Sequence, residues 1–297
     1  MCGRFAVTTD PALLAEKIRA IDEATQQRDG QAPDAAPSSP GANYNVAPTT
    51  TISTVVERHT EPGDLVDAGP RARGTTPLAE PGDLADAGPG ARGTTPLAEP
   101  GGEVTRRVRA MRWGLVPPWI KSTADGTPDT TGPLLINARA EKLTSSPAFR
   151  NSAKHKRCLI PMDGWYEWKG AKGAKTPYYM YGEDGELLFM AGLWSTWRPK
   201  HPEGEDVPTL LSCTIITTEA AGPLADIHDR MPLSISATDW ERWLDPDAPV
   251  DEGLLRGHGD LDRIAIREVS TLVNSVRNNG PELLEPAAAA PGQDGLF

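Results

Sequence analysis

The first residues of the chain carry the most distinctive chemistry in the sequence. The chain begins Met1-Cys2-Gly3-Arg4-Phe5, and an initiator Met is normally removed before a small residue. Its removal would leave Cys2 with a free α-amine next to its thiol. Such a 1,2-aminothiol condenses with an aldehyde to an imine, which the thiol then closes to a five-membered thiazolidine. An α-amine has a pKa of about 7.7–8.0, against about 10.4 for Lys, so much more of it is neutral at pH 7. Cys2 is therefore a candidate nucleophile.

Two asparagines stand in apolar segments that could converge on Cys2. Asn45 lies among packing residues in Tyr44–Pro48, and Asn137 follows the apolar run of Leu134–Glu141 directly. Asparagine is also common in turns and helix caps, where its role is structural. The sequence alone leaves both interpretations open.

A carboxylate and a histidine offer acid–base chemistry. Glu167 lies between Trp165 and Trp168, and we expect both tryptophans on the strand face opposite Glu167. A carboxylate on a mostly buried strand suits a general acid or base. His228 precedes a potential orienting Asp and Arg230. The alternatives are a half-exposed Glu167 paired with a Lys and a purely structural His228.

One aromatic segment could contact nucleic acid. Trp113 and Trp119 enclose a Gly- and Pro-containing stretch at the end of a predicted strand. Two aromatics in this setting could form an exposed platform on which bases stack. We expect the other tryptophans to lie mostly in the core.

The elements that must position these residues are mainly strands. Hydrophobic patterns predict strands at Thr51–Arg58, Val104–Trp113, Arg157–Pro161, Trp165–Lys169, Pro177–Tyr181, Leu187–Trp197, Thr209–Thr218 and Arg263–Val269. Predicted helices are Pro11–Ala20 with Asp10 as N-cap, Asp239–Leu244 with Thr238 as N-cap, and a turn at Glu219–Ala225. This balance predicts an α+β fold: a single domain around a curved antiparallel β-sheet or barrel with a few peripheral helices.

Low-complexity segments interrupt this domain. Residues 61–79 and 80–98 form a tandem repeat rich in Gly, Pro, Asp and Thr, with few large apolar side chains. Such a unit buries too little surface to offset its ordering entropy. We expect disordered insertions at about 24–42 and 59–103 and a disordered tail at 287–297. The remainder of residues 1–286 would be one domain, and the two strands flanking 59–103 would form a hairpin with an overgrown loop.

Composition and charge narrow the functional class. The formal net charge is −11, which argues against a general nucleic-acid binder, but residues 104–175 hold fourteen Lys and Arg against five Asp and Glu, a net of +9. The three cysteines are too few and scattered for a disulfide scaffold, and no metal-binding spacing is present. We expect no metal, no cofactor, no membrane segment, and a cytoplasmic location.

The ordered motifs resemble those of the SRAP family, the abasic-site processing proteins. The matching segments are Met1–Phe5, Tyr44–Pro48, Arg112–Pro118, Ile136–Glu141, Asp163–Trp168, Ile227–Pro232 and Val269–Leu284. The resemblance implies a covalent thiazolidine link between the mature N-terminal cysteine and the ring-opened aldehyde of an abasic site in single-stranded DNA. It also implies lyase activity, reversal of the link, removal of Met1 and a nucleoid-associated monomer.

The resemblance also implies roles for individual residues. Cys2 would be the nucleophile, and Asn137 would hold the deoxyribose or the Cys2 amine. Glu167 would shuttle protons, and His228 would open or position the sugar. The remaining assignments are phosphate binding by Arg4, Arg139 and Arg230, base stacking by Trp113, and pocket walls from Asn45 and Pro48.

Other functions remain compatible with the residues alone. An N-terminal-nucleophile amidohydrolase would also use Cys2, with its own α-amine as the base. A module that binds single-stranded DNA without chemistry would make Cys2 incidental. A peptidase acting on other proteins is a further alternative.

Overall fold

A computed structural model describes residues 2–24, 41–59, 104–171, 173–199, 209–257, 259 and 261–287. The chain divides into a large unit, Met1–Arg58 with Arg106–Phe297, and a small unit, His59–Thr105. The insertions predicted at 24–42 and 59–103 and the tail predicted at 287–297 lie almost wholly outside the described residues. Their disorder stays a prediction, as do the boundaries of the domain.

Strands dominate the described part of the chain. They are β1 (Arg4–Val7), β2 (Ile21–Asp22), β3 (Asn43–Val46), β4 (Thr51–His59), β5 (Val104–Trp113), β6 (Asn137–Arg139), β7 (Arg157–Met162), β8 (Gly164–Lys169), β9 (Thr176–Gly182), β10 (Leu188–Trp197), β11 (Leu210–Glu219), β12 (Arg230–Pro232) and β13 (Ile264–Glu268). The α-helices are α1 (Pro11–Ile18), α2 (Arg150–His155), α3 (Trp240–Leu244) and α4 (Glu252–Arg256). Short 3-10 helices span Ala140–Lys142, Glu183–Gly185, Gly222–Asp226, Ala237–Asp239, Leu261–Arg263, Thr271–Asn274 and Pro281–Leu283.

The strands form two sheets, one of which closes on itself. The larger sheet has the order β12-β11-β10-β7-β4-β5-β2, with β6 added to β11. A parallel pairing between β11 and β5, with Cys213 opposite Trp113, joins the two ends of the path β11-β10-β7-β4-β5. The smaller sheet has the order β13-β9-β8-β1-β3. The predicted α+β fold with a barrel-like sheet and few helices is confirmed.

Most long elements lie where the sequence predicts them. Strand β5 has the predicted bounds, and β4 is its neighbour in the sheet, as expected for the strands that flank residues 60–103. Asp10 caps α1 by accepting a hydrogen bond from the Ala12 amide at 2.8 Å. The prediction of Thr238 as an N-cap is wrong, because Thr238 lies inside the 3-10 turn before α3.

The core consists of three clusters of buried side chains. The first packs the α-helices against the larger sheet and includes Leu14, Val108 and Trp243. The second contains Cys2 and Phe5 together with every other cysteine and methionine of the described residues. The third surrounds Tyr166 and Tyr179. No helix within the described ranges is long and apolar enough to cross a membrane.

Candidate active site at the N-terminal cysteine

Cys2 lies inside the second core cluster rather than on the surface. Its side chain is fully buried, and its Sγ lies 3.9 Å from the carbonyl oxygen of Arg4. Burial raises the pKa of the Cys2 thiol well above its usual range, and the negative charge of Glu167 raises that pKa further. The thiol is therefore protonated at neutral pH, and any reaction at sulfur needs a nearby group that accepts its proton.

Asn137 contacts the backbone of Cys2 directly. Its Nδ2 donates a hydrogen bond of 2.8 Å to the Cys2 carbonyl oxygen. Asn137 begins β6, which pairs in parallel with β11, where Ile215 lies opposite Asn137. The Asn137 Oδ1 is buried and has no hydrogen-bond partner within the described part of the chain. A buried acceptor without a partner is costly, so this oxygen is suited to receive a donor at the Cys2 end of the site.

Glu167 reaches the same cluster from the smaller sheet. Strand β8 pairs with β1, with Trp165 opposite Phe5, so the residues beyond this pair continue toward Cys2. The Glu167 side chain is 6% exposed. The predicted position of the two tryptophans is corrected: Trp165 packs in the Cys2 cluster, on the same face as Glu167, while Trp168 packs against the third cluster. Residues two apart on a strand share a face, and residues three apart do not.

His228 follows the 3-10 turn that comes after β11. Its Nδ1 lies 3.0 Å from the Arg230 amide nitrogen and 2.7 Å from Asp229 Oδ1. The first contact needs an Nδ1 without a hydrogen and the second an Nδ1 that carries one, so the two contacts cannot both be hydrogen bonds in one tautomer of the ring. The preceding Ile227 packs against the Cys2 cluster, which places His228 at the border of that cluster.

Arg4 and Asn45 bind each other and the C-terminal part of the chain. An Arg4 Nη1 hydrogen bond of 2.8 Å reaches Asn45 Oδ1, and a second of 3.1 Å reaches the Val273 carbonyl. Arg4 is a half-buried residue, and this burial lowers the pKa of its guanidinium from the usual value. Pro48 is also half-buried. Asn45 is thus a buried residue whose side chain forms several hydrogen bonds. Its role as a wall of the pocket stays a prediction.

The two other predicted phosphate ligands differ in availability. Arg139 is exposed at the end of β6. The Arg230 side chain is 10% exposed and binds Glu141 through two hydrogen bonds of 2.7 and 3.1 Å, and it also donates to the Thr217 carbonyl. These bonds lower the pKa of Glu141. Sequence reasoning missed this pair, since it joins two separate motifs. A DNA phosphate would have to displace Glu141 to receive the same bidentate bonds.

The prediction that Trp113 stacks on bases is corrected. Trp113 is fully buried, its Nε1 donates to the Ile136 carbonyl at 3.0 Å, and its ring packs on Phe5 at 5.1 Å between centroids. The indole therefore supports the segment that leads to Asn137 instead of presenting a face to solvent. Trp119 of the same motif is 52% exposed.

No cluster of three or more His, Cys, Asp and Glu side chains suited to a metal ion occurs among the described residues. The three cysteines are unpaired. The chemical groups assembled around Cys2 are an amide, a carboxylate and the N-terminal backbone. They can orient an amine and move protons.

This fold and site define a protein with a closed β-sheet in which a buried cysteine next to the start of the chain is bound by an amide side chain and feels the charge of a carboxylate. The family described as SOS response associated peptidase (SRAP) matches residues 1–276, and the chain belongs to this family.

Relatives and solved structures agree with the family assignment. The chain is 40% identical over 183 residues to the abasic site processing protein YoqW of Bacillus subtilis, covering 60% of this chain and 76% of the relative. It is 36% identical over 199 residues to the abasic site processing protein HMCES of Gallus gallus, covering 59% and 56%. A protein from Bacteroides thetaiotaomicron shares the fold, with a TM-score of 0.64 at 18% identity, covering 97% of this chain and 100% of that protein.

Proposed function

We propose that this chain, after removal of Met1, captures the ring-opened aldehyde of abasic sites in single-stranded DNA through Cys2. The observation that carries the proposal is the convergence of Asn137 and Glu167 on Cys2. Asn137 binds the Cys2 carbonyl and keeps a buried acceptor free, and the charge of Glu167 acts on the Cys2 thiol. The names of the relatives, abasic site processing proteins, support the choice of substrate.

Asn137 and Glu167 each have a defined role in the proposed reaction. Cleavage of the Met1–Cys2 peptide bond by water frees the α-amine, and Asn137 Oδ1 accepts a hydrogen bond from it. The amine adds to the aldehyde carbon, and loss of water gives an imine. Glu167 accepts the thiol proton as sulfur bonds to the imine carbon, and it passes this proton to the imine nitrogen, which becomes the ring amine. The product is a thiazolidine, and the net reaction releases one water. Glu167 would return the proton to sulfur in the reverse reaction.

Further activities follow from the imine. Before ring closure, loss of a proton from the sugar carbon next to the imine carbon would expel the 3′-phosphate, which is a lyase reaction. His228 would assist opening of the sugar ring by proton transfer. The exposed Arg139 would bind a phosphate without rearrangement, whereas Arg230 would have to exchange Glu141 for a phosphate. Arg4 would contribute its remaining N–H donors.

Mass spectrometry of intact protein tests the proposal. Purified protein is weighed before and after incubation with a single-stranded oligonucleotide that carries one abasic site. We expect a mass that lacks Met1, and after incubation a heat-stable adduct that lacks one water relative to the two components. Cys213→Ala serves as the matched cysteine control and should form the adduct. Equal adduct formation by Cys2→Ala would refute the proposal.

Two further outcomes separate the other functions. Reversible, salt-sensitive binding to DNA without an adduct, equal for wild type and Cys2→Ser, would indicate a binding module without chemistry. Ammonia release from glutamine by the wild type alone would indicate an amidohydrolase.

A further inference from the structure

The side chain of Asn45 connects the N-terminal strand to a distant segment of the chain. Asn45 lies on β3 and is 3% exposed. Its Nδ2 lies 3.2, 3.0 and 3.0 Å from the carbonyl oxygens of Val273, Ser275 and Asn278. Its Oδ1 accepts a hydrogen bond from Arg4. A primary amide has two N–H donors and one carbonyl, so these contacts use its donors fully and occupy its acceptor.

Further hydrogen bonds fasten the same segment to the smaller sheet. We call residues 271–279 the C-terminal segment. Arg4 donates from Nη1 to the Val273 carbonyl at 3.1 Å and from Nη2 to the Asn274 carbonyl at 3.5 Å. Asn279 Oδ1 accepts from the Tyr44 amide at 2.7 Å, and Asn274 Oδ1 accepts from Trp168 Nε1 at 2.7 Å. The C-terminal segment is therefore bound to residues of β1, β3 and β8 at once.

The position of Arg4 determines where Cys2 can lie. Arg4 is the first residue of β1, and Cys2 lies two residues before it, outside the strand. Two residues span at most roughly 7 Å, so a shift of Arg4 is passed to Cys2 with little slack. On its other side, Cys2 is held by the Asn137 hydrogen bond to its carbonyl. Chain termini are usually poorly ordered unless they are tied down, and here Asn137 and Arg4 supply the two attachments.

We infer that the C-terminal segment positions the proposed nucleophile by binding Arg4, both directly through its carbonyls and through Asn45, and that Asn45 is the positioning residue whose side chain joins the two. The inference rests on the proposed function for its consequence in catalysis, but the placement of Cys2 can be tested separately. The role is specific: loss of the Asn45 side chain should release Cys2 without loosening the barrel, because its hydrogen bonds within the described part of the chain join Arg4 of β1 to the C-terminal segment.

The three cysteines provide the separate test, since all of them lie in one buried cluster. Asn45→Ala and wild type, both lacking Met1, are treated with iodoacetamide, and alkylation of each cysteine is followed by peptide mass spectrometry. We expect the alkylation rate of Cys2 to rise at least tenfold, while Cys158 and Cys213 react as in wild type. An equal rise at all three cysteines would indicate general loosening and overturn the inference, as would an unchanged rate at Cys2.

The catalytic consequence is measured with two aldehydes. Capture of an abasic oligonucleotide by Asn45→Ala should be about 10- to 100-fold slower, since a misplacement of about 1 Å costs a factor of this size. Capture of glycolaldehyde, which needs no alignment with bound DNA, should be as fast as in wild type or faster. Asn274→Ala keeps its backbone carbonyl and should show a smaller shift in the same directions. Asn151→Ala, at an exposed asparagine of α2, is the matched control and should behave as wild type.

The proposed function and the positioning role of Asn45 can fail independently. If wild type forms no adduct with abasic DNA, the proposed function is refuted, and the alkylation rates still decide whether Asn45 positions Cys2. If wild type forms the adduct and Asn45→Ala forms it equally fast, the positioning role is refuted and the proposed function stands.

Discussion

Alkaline pH should destabilise this protein through its buried thiols. Burial raises the pKa of Cys2, Cys158 and Cys213, and all three lie in the same cluster. An unfolded thiol has a pKa of about 8.5. Below that pH both states keep the proton, so the contribution of each thiol is fully present. Above it the unfolded chain releases protons that the native state retains, so the free energy of unfolding falls as pH rises. At pH 9.5 the loss is about 1.4 kcal/mol for each thiol.

Cys213→Ala isolates one of these contributions. Cys158 keeps a raised pKa in the variant, because burial is a larger cause than the charge of Cys213. From pH 7.5 to pH 9.5, wild type should lose about 1.4 kcal/mol more of its free energy of unfolding than Cys213→Ala does. The small cavity left by the substitution lowers stability equally at both pH values and cancels. Lys156, whose pKa is lowered by burial, titrates in both proteins and also cancels.

Urea unfolding at the two pH values, with a reductant present, measures this difference. The free energy at each pH follows from the midpoint and the slope of the transition. Parallel pH dependence in the two proteins would refute the reasoning, since it would mean that Cys213 titrates in the native state as it does in the unfolded chain. The experiment thus tests the buried cluster that contains Cys2 without altering Cys2.

Three other substitutions test the assignments made around the site. Trp113→Phe should lower stability by about 1 kcal/mol by removing the hydrogen bond to Ile136, with unchanged DNA affinity; weaker DNA binding at unchanged thermal stability would restore the stacking role. Glu141→Gln should make acid unfolding less dependent on pH, because the depressed pKa of Glu141 stabilises the native state above about pH 4.3 and this contribution is lost as pH falls; an unchanged acid profile in thermal melts would contradict the pairing with Arg230. Arg139→Ala should reduce the slope of log affinity against log salt for single-stranded DNA by about 0.7, and an unchanged slope would remove Arg139 from the interface.

The long strands could be predicted from the sequence because each has a hydrophobic pattern of its own. β5 and β10 each extend over ten residues, and their predicted bounds are correct to within one residue. The hydrophobic side chains that make these strands recognisable belong to the strands themselves, so no distant contact is needed to predict them. The closure of the larger sheet could be predicted only as a class of fold, since the pairing of β11 with β5 depends on how the intervening strands curve.

The short strands that carry the motifs could not be predicted as strands. β1, β3, β6 and β12 have three or four residues each, which is too few for alternation to be recognised. β1, β3 and β6 also pair with strands far along the chain, as when β6 aligns with β11. The motifs were visible by their unusual polarity, but the contacts of Arg230 with Glu141 and of Asn45 with the C-terminal segment exist only after that pairing.

The buried position of Trp113 could not be predicted from the residues next to it in the sequence. A tryptophan before Gly and Pro is typical of an exposed turn, yet its N–H finds a carbonyl at Ile136 and its ring meets Phe5 edge to face. Both partners come from other motifs, so the sequence offers no local sign of them. A buried Trp needs such a partner for its N–H, and here that partner is one residue before Asn137.

The proposed use of Cys2 as an N-terminal nucleophile would explain why two asparagines lie close to the start of the chain. Termini usually fray, so a reactive N-terminus must be held from more than one side by groups that do not compete with its amine for protons. An amide is uncharged and both donates and accepts, which lets Asn137 bind the Cys2 carbonyl while keeping an acceptor for the amine, and lets Asn45 accept from Arg4 while donating to Val273 and its neighbours. An ionised aspartate at either position could not donate to the carbonyls that these asparagines bind. In the proposed function, the polar residues in these apolar segments would therefore hold the N-terminus in place.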